Sequence, residues 1–154
     1  MSKELIKEKL NKFGSSKEPF LFVLSYDLSK FYIQKLSLLP SSIKFEFDSK
    51  EIKNTKQETI LEKFPIDFNQ YKTKFDLLQE EIKSGNTYLC NLTAKTEIKT
   101  SITIDEIYDL VQSKFKLRFQ NENDNFVCFS PERFIEIKEN KIFTYPMKGT
   151  IDAS

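Results

Sequence analysis

A chain of 154 residues is long enough for one domain with a real core, and 39% hydrophobic residues with 14% aromatics make it globular. Its 24 basic and 23 acidic residues leave a formal net charge of +1, which removes the bulk electrostatic case for nucleic acid or an anionic membrane. With no histidine in the chain, His-ligated zinc, Ser-His-Asp triads and Cys-His dyads are excluded as well.

Ser2 to Phe13 reads as a short amphipathic helix, with Ser2 as its cap, Leu5, Ile6, Leu10 and Phe13 on one face, and Gly14 as its stop. Phe20 to Leu24 is a continuous apolar run and predicts a strand buried on both faces. It turns at Asp27-Leu28-Ser29-Lys30 into Phe31-Tyr32-Ile33, which predicts a hairpin. Ile43 to Phe47 alternates apolar with charged residues, as a half-buried strand does. The stretch from Asp48 to Thr59 is polar, lacks periodicity and predicts a loop.

The best helix signal runs from Asp67 to Lys83. Phe68, Tyr71, Phe75, Leu78 and Ile82 recur at three- and four-residue spacing, and Gly85 supplies the stop. This stripe is expected to pack on a sheet built from strands near 20–26, 87–98 and 126–145. Tyr88 to Ile98 predicts a long Thr-rich strand containing Asn91. Thr103 and Glu106 form a capping box opening a helix through Ile104, Ile107, Leu110 and Val111. Phe115 to Phe119, an Asn/Asp loop at 121–125 and a terminal hairpin complete the pattern. Antiparallel strands with helices inserted between them argue for an α+β fold in a single domain.

Fifteen phenylalanines and no tryptophan point to a core built on Phe. Cys90 and Cys128 lie inside apolar strand patterns and are expected to be buried free thiols in a reducing cytosol; a lone disulfide or a metal pair is the alternative. No apolar run approaches the roughly 20 residues of a membrane span. Met1-Ser2-Lys3-Glu4 does not read as a signal peptide, so the expected location is the cytoplasm.

The last 25 residues concentrate the chemistry. Phe126 to Phe129 leads into Ser130-Pro131-Glu132-Arg133-Phe134, and Lys141 to Tyr145 leads into Pro146-Met147-Lys148-Gly149-Thr150. Strands joined by a Glu139-Asn140 turn would bring Glu132 and Lys148 to one end of a hairpin. A carboxylic acid and an amine would then share a region with Gly149 and Thr150, which offer two N–H donors and a hydroxyl to an anion.

These two blocks resemble paired signatures of the chorismate-utilising enzymes, the family of the aminodeoxychorismate, anthranilate, isochorismate and salicylate synthases. The segment Ile82-Lys83-Ser84-Gly85-Asn86-Thr87-Tyr88-Leu89-Cys90-Asn91-Leu92-Thr93 is similar to a third signature. The resemblance runs from about Pro19 to the end of the chain. It implies stacked antiparallel sheets with helices packed outside.

A lysine immediately before Gly-Thr resembles the aminodeoxychorismate synthase type, in which that lysine bonds covalently to the substrate ring; anthranilate synthases carry a small residue there. By resemblance Lys148 is the nucleophile, Glu132 the general acid, and Gly149 and Thr150 hold the ring and carboxylate of chorismate. Tyr88 and Asn91 take supporting places. The physical demands are clear: only a neutral amine attacks, and hydroxide leaves slowly unless an acid protonates it. The ammonia comes, by the same resemblance, from a glutamine amidotransferase (glutaminase) partner, and the product serves 4-aminobenzoate and folate synthesis.

Three departures stand out. Lys116-Leu117-Arg118-Phe119 occupies a region where the family has asparagine and prolines. The segment that lines the tryptophan pocket of larger members is absent, so no tryptophan feedback is expected. The glutamates that bind Mg²⁺ in the family belong to a part beyond Ser154, so the chain is expected to be the N-terminal half of one chorismate-binding domain, with no metal ligands of its own and no activity alone. The alternatives are an anthranilate or isochorismate synthase relative, disfavoured by Lys148, and a non-catalytic fragment that only binds.

Overall fold

A computed structural model of the chain describes residues 3–49, 59–130 and 132–146. The described chain divides into two compact units, Met1–Lys50 with Gln112–Ser154, and Glu51–Val111. Among the described residues the architecture is α+β: three α-helices and nine strands, every strand pair antiparallel.

In the first unit, helix α1 (Lys3–Ser15) turns its Leu5, Ile6, Leu10 and Phe13 face inward, and Ile6 is buried. The helix runs one residue past Gly14, where the sequence predicts a stop. The left-handed residue is Lys17 (φ 55°), whose N–H bonds to the Gly14 carbonyl while Glu18 N–H reaches the Phe13 carbonyl. Those two bonds satisfy the last carbonyls of the helix, so the cap forms without glycine in the left-handed position.

Strands β1 (Phe20–Leu24) and β2 (Phe31–Lys35) form the expected hairpin. Its turn is set by Asp27, whose carboxylate accepts from Ser25 Oγ (2.7 Å), Ser29 Oγ (2.8 Å) and Ser29 N–H (3.0 Å). These bonds hold the Asp27 carboxyl down to about 2. Burial on both faces of β1 does not occur, and Phe22 is 51% exposed. A lone two-stranded ribbon has too little neighbouring surface to cover both sides.

Strands β3 (Lys44–Phe47), β6 (Phe115–Gln120) and β7 (Asn125–Ser130) form a three-stranded sheet with β6 in the middle. The predicted 121–125 loop is its tight connection, with Asn121 Oδ1 accepting from the N–H groups of Asn123 and Asp124. Phe119 is 2% exposed, stacked on Phe126 at 5.1 Å and meeting Tyr32 edge-on at 5.2 Å. That cluster joins the β1–β2 hairpin to the sheet and is the centre of this unit's core. Lys116 and Arg118, on the opposite face of β6, are buried too. Arg118 donates to Phe119 O (2.9 Å), Asn125 Oδ1 (2.7 Å) and Gln120 Oε1 (3.0 Å), which satisfies a guanidinium removed from water.

The second unit holds β4 (Leu61–Phe64), α2 (Phe68–Lys83), β5 (Glu97–Thr100) and α3 (Ile104–Leu110). Helix α2 matches its expected bounds. Asp67 caps it by accepting from the N–H groups of Asn69 (2.8 Å) and Gln70 (3.2 Å), and Gly85 ends it at φ 77°. The Thr103–Glu106 capping box opens α3 as read from the sequence.

Two expectations fail here. The long strand over 88–98 is confined to β5, because β4 offers only Leu61–Phe64 to pair with and unpaired backbone does not make a ladder. Within this unit and among the described residues the apolar stripe of α2 stays open: Phe68, Tyr71 and Phe75 are exposed, Phe75 by 41%, while Leu78 and Ile82 are half-buried. The strands expected to make one sheet lie in separate small sheets, β1–β2, β6–β7 with β3, β4–β5, and β8–β9.

Candidate functional site

The terminal hairpin is built as the sequence predicts. Strands β8 (Ile135–Lys138) and β9 (Lys141–Thr144) pair in the register Ile135 with Thr144 and Lys138 with Lys141. Glu139 (φ 52°) and Asn140 (φ 59°) both take left-handed conformations, the two-residue turn that matches strand twist. The register returns Tyr145 and Pro146 to the end of the hairpin at which Ser130 and Glu132 enter. A cleft of about 590 Å³ opens there, lined by residues from both arms, including Ser130, Glu132, Arg133, Thr144, Tyr145 and Pro146.

Of the residues singled out from the sequence, Glu132 lies in this cleft, three positions before β8, and its side chain is exposed. Its backbone N–H is held by Ser130 Oγ at 3.1 Å, while the Ser130 carbonyl accepts from Ser113 Oγ at 3.3 Å. The Glu132 carboxylate makes no hydrogen bond or ion pair with a described residue, and its neighbour Arg133 pairs with Glu136 instead. Lys148, Gly149 and Thr150 lie outside the described residues. Tyr88 and Asn91 belong to the second unit, both exposed in the stretch before β5.

The structure adds a cluster that the sequence did not reveal. Glu136 Oε2 accepts from Arg133 Nη1 and from the Tyr145 hydroxyl, the latter at 2.6 Å. The Arg133 guanidinium lies over the Tyr145 ring at 5.1 Å and over the Phe115 ring of β6 at 5.5 Å. The Tyr145 hydroxyl bond, then that from Arg133, hold the Glu136 carboxyl below its usual range; partial burial works against them. The same bond to Glu136 pushes the Tyr145 hydroxyl above its usual value of 10. Sequence spacing hides the cluster, because Arg133 and Glu136 would face opposite ways in a regular strand and Arg133 precedes β8.

An apolar groove of about 360 Å³ shares Ser130 with the cleft. It is lined by Phe20 and Leu21 of β1 and by Phe45, Phe47, Phe115 and Leu117 of the sheet. Cys128 also borders it, and both Cys128 and Cys90 are exposed free thiols. Their expected burial is corrected: the face of β7 that carries Cys128 opens on the groove, and the strand expected around Cys90 does not form.

The profile of the chorismate binding enzyme family matches residues 30–154. The chain belongs to that family. An uncharacterized PabA-like protein of Pasteurella multocida is 37% identical to it over all of this chain, and an uncharacterized PabA-like protein of Haemophilus influenzae is 37% identical over 96%. The chain covers 48% and 45% of those two proteins, so it spans about half the length of the curated relatives it matches. No solved structure matches it. Ser130 and Glu132 line one side of the cleft, and Tyr145 and Pro146 line the other. Among the described residues no three Asp, Glu or Cys side chains converge as a metal site. No helix among them is long and apolar enough to cross a membrane.

Proposed function

We propose that the chain is the part of an aminodeoxychorismate synthase component I that carries its nucleophile and its acid, converting chorismate and ammonia to 4-amino-4-deoxychorismate. The observation that supports this reading is the cleft at the β8–β9 hairpin end, where the segment bearing Glu132 and the segment leading to Lys148 line one cavity. In this scheme the Lys148 amine bonds to ring carbon C2, both conjugated ring double bonds shift by one position, and the C4 hydroxyl leaves as water with a proton from Glu132. Ammonia then bonds to C4, both double bonds shift back and the Lys148 amine is expelled from C2; the protons that the amines release balance the one that Glu132 supplies. Gly149 and Thr150 hold the substrate ring and carboxylate. A glutamine amidotransferase supplies the ammonia. A magnesium ion would offset the substrate's negative charge, and its ligands would come from the half of the relatives that this chain does not match.

The test uses chorismate, ammonium and Mg²⁺ with the 154-residue chain alone and together with the unmatched half of the Pasteurella multocida relative. Aminodeoxychorismate should form in the mixture and not with the chain alone. Lys148→Arg should lose nearly as much turnover as Lys148→Ala, because guanidinium stays protonated and cannot attack. A peptide spanning Tyr145 to Thr150 should gain the mass of a dehydrated chorismate on Lys148. An active Lys148→Arg variant with no adduct would refute covalent catalysis, and formation of anthranilate or isochorismate would refute the assignment.

A further inference from the structure

The β8–β9 hairpin has little packing to hold it in place. Ile135 is 45% exposed, Ile137 67%, Ile142 70% and Phe143 40%, so both of its faces are open. A ribbon of two four-residue strands does not fix its own direction relative to a neighbouring sheet. Among the described residues Arg133, one residue after Glu132, connects it to β6. The guanidinium lies over the Phe115 ring of β6 on one hand and the Tyr145 ring at the end of β9 on the other. Glu136 of β8 pins the same guanidinium and takes the Tyr145 hydroxyl at 2.6 Å. Three segments, β6, β8 and the exit of β9, therefore meet on a single side chain. Arginine suits this place because its planar face stacks on rings while its edge donates to a carboxylate, which the ammonium of lysine cannot do.

We propose that Arg133 is a positioning residue: stacked on Phe115 and Tyr145 and pinned by Glu136, it fixes the β8–β9 hairpin against β6 and so sets where Glu132 stands in the cleft. The catalytic meaning of that placement rests on the function proposed above; the mechanical claim does not. Ser130 restrains Glu132 from the other side through its own backbone bond, so the acid sits between two anchors. Among the described residues its carboxylate has no partner, since the adjacent cation is committed to Glu136.

Residual dipolar couplings of backbone amides in the 154-residue chain test this directly, comparing β8–β9 with β6–β7. In the wild type one alignment should fit both sheets. In Arg133→Met the β8–β9 couplings should lose that common alignment and shrink together, while cross-strand contacts within β8–β9 persist. Phe115→Leu, which removes the ring on the sheet side and leaves Arg133 intact, should do the same. Tyr145→Phe keeps the ring and should retain the common alignment. Arg133→Lys keeps the charge for Glu136 and should fail to restore it. A common alignment surviving in Arg133→Met would overturn the proposal, and so would full restoration by lysine, which would make charge alone the tie. Chorismate titrations of the same samples keep the two claims apart. Wild-type chain that does not bind counts against the functional reading, whereas equal affinity of wild type and Arg133→Met counts against the positioning role.

Discussion

Truncating Phe119 and Phe75 in parallel asks where this chain keeps its core. Phe119 is 2% exposed and touches the rings of Phe126 at 5.1 Å and Tyr32 at 5.2 Å, so Phe119→Ala deletes an enclosed ring and leaves a void between the β1–β2 hairpin and the sheet. Such truncations cost about 3–5 kcal/mol, of which each aromatic pair supplies about 0.5–1.5 kcal/mol. Phe75 is 41% exposed, with Tyr71 as its ring neighbour at 6.2 Å. Its truncation opens no void and removes partly wetted area, for a cost of about 1–2 kcal/mol. Urea titrations followed through amide NMR signals of each unit read the two losses separately, without assuming that the units unfold together. A loss for Phe75→Ala as large as that for Phe119→Ala would show that the α2 stripe is covered in solution. A loss below about 1 kcal/mol for Phe119→Ala would refute the placement of the core on β6 and β7.

Glu139→Asn with Asn140→Gly, which suits the two left-handed turn residues, should stabilise the β8–β9 hairpin by about 1 kcal/mol, read as slower amide exchange at Ile137 and Ile142. Lys17→Gly relieves the left-handed residue after α1 and should gain up to about 1 kcal/mol, read as a higher urea midpoint for the first unit. The Asp27 carboxyl is depressed from 3.8 to about 2, so its contribution to the β1–β2 turn is fully present above pH 3.8 and is lost as pH falls through about 2. NMR titration of its carboxyl carbon should show that midpoint, and a midpoint at the ordinary value would rule out the Ser25 and Ser29 bonds.

The features legible in the sequence are those whose determinants lie within a few residues of one another. Asp67 and Gly85 bracket α2, Thr103 and Glu106 open α3, and Glu139-Asn140 turns the hairpin that carries both motif blocks, all by bonds or torsions confined to one turn. The same holds for the Ser-Pro-Glu and Pro-Met-Lys-Gly-Thr blocks, which fixed the family before any coordinate did. Pairing and burial were decided by the tertiary structure. Leu61–Phe64 becomes a strand because Glu97–Thr100 lies beside it, and the segment from Tyr88 to Thr96 stays outside any ladder because no described residue pairs with it. Lys116 and Arg118 are charged residues on an alternating strand, a pattern that predicts a wet face, yet both are buried where acceptors from other segments reach them. Arg133 looks from its place in the chain like a partner for Glu132 and is drawn instead to Glu136, Tyr145 and Phe115, the last from a different sheet. Local torsions and caps depend on neighbours in sequence, whereas exposure and ion pairing depend on which distant surface arrives, and no stretch of residues carries that information by itself.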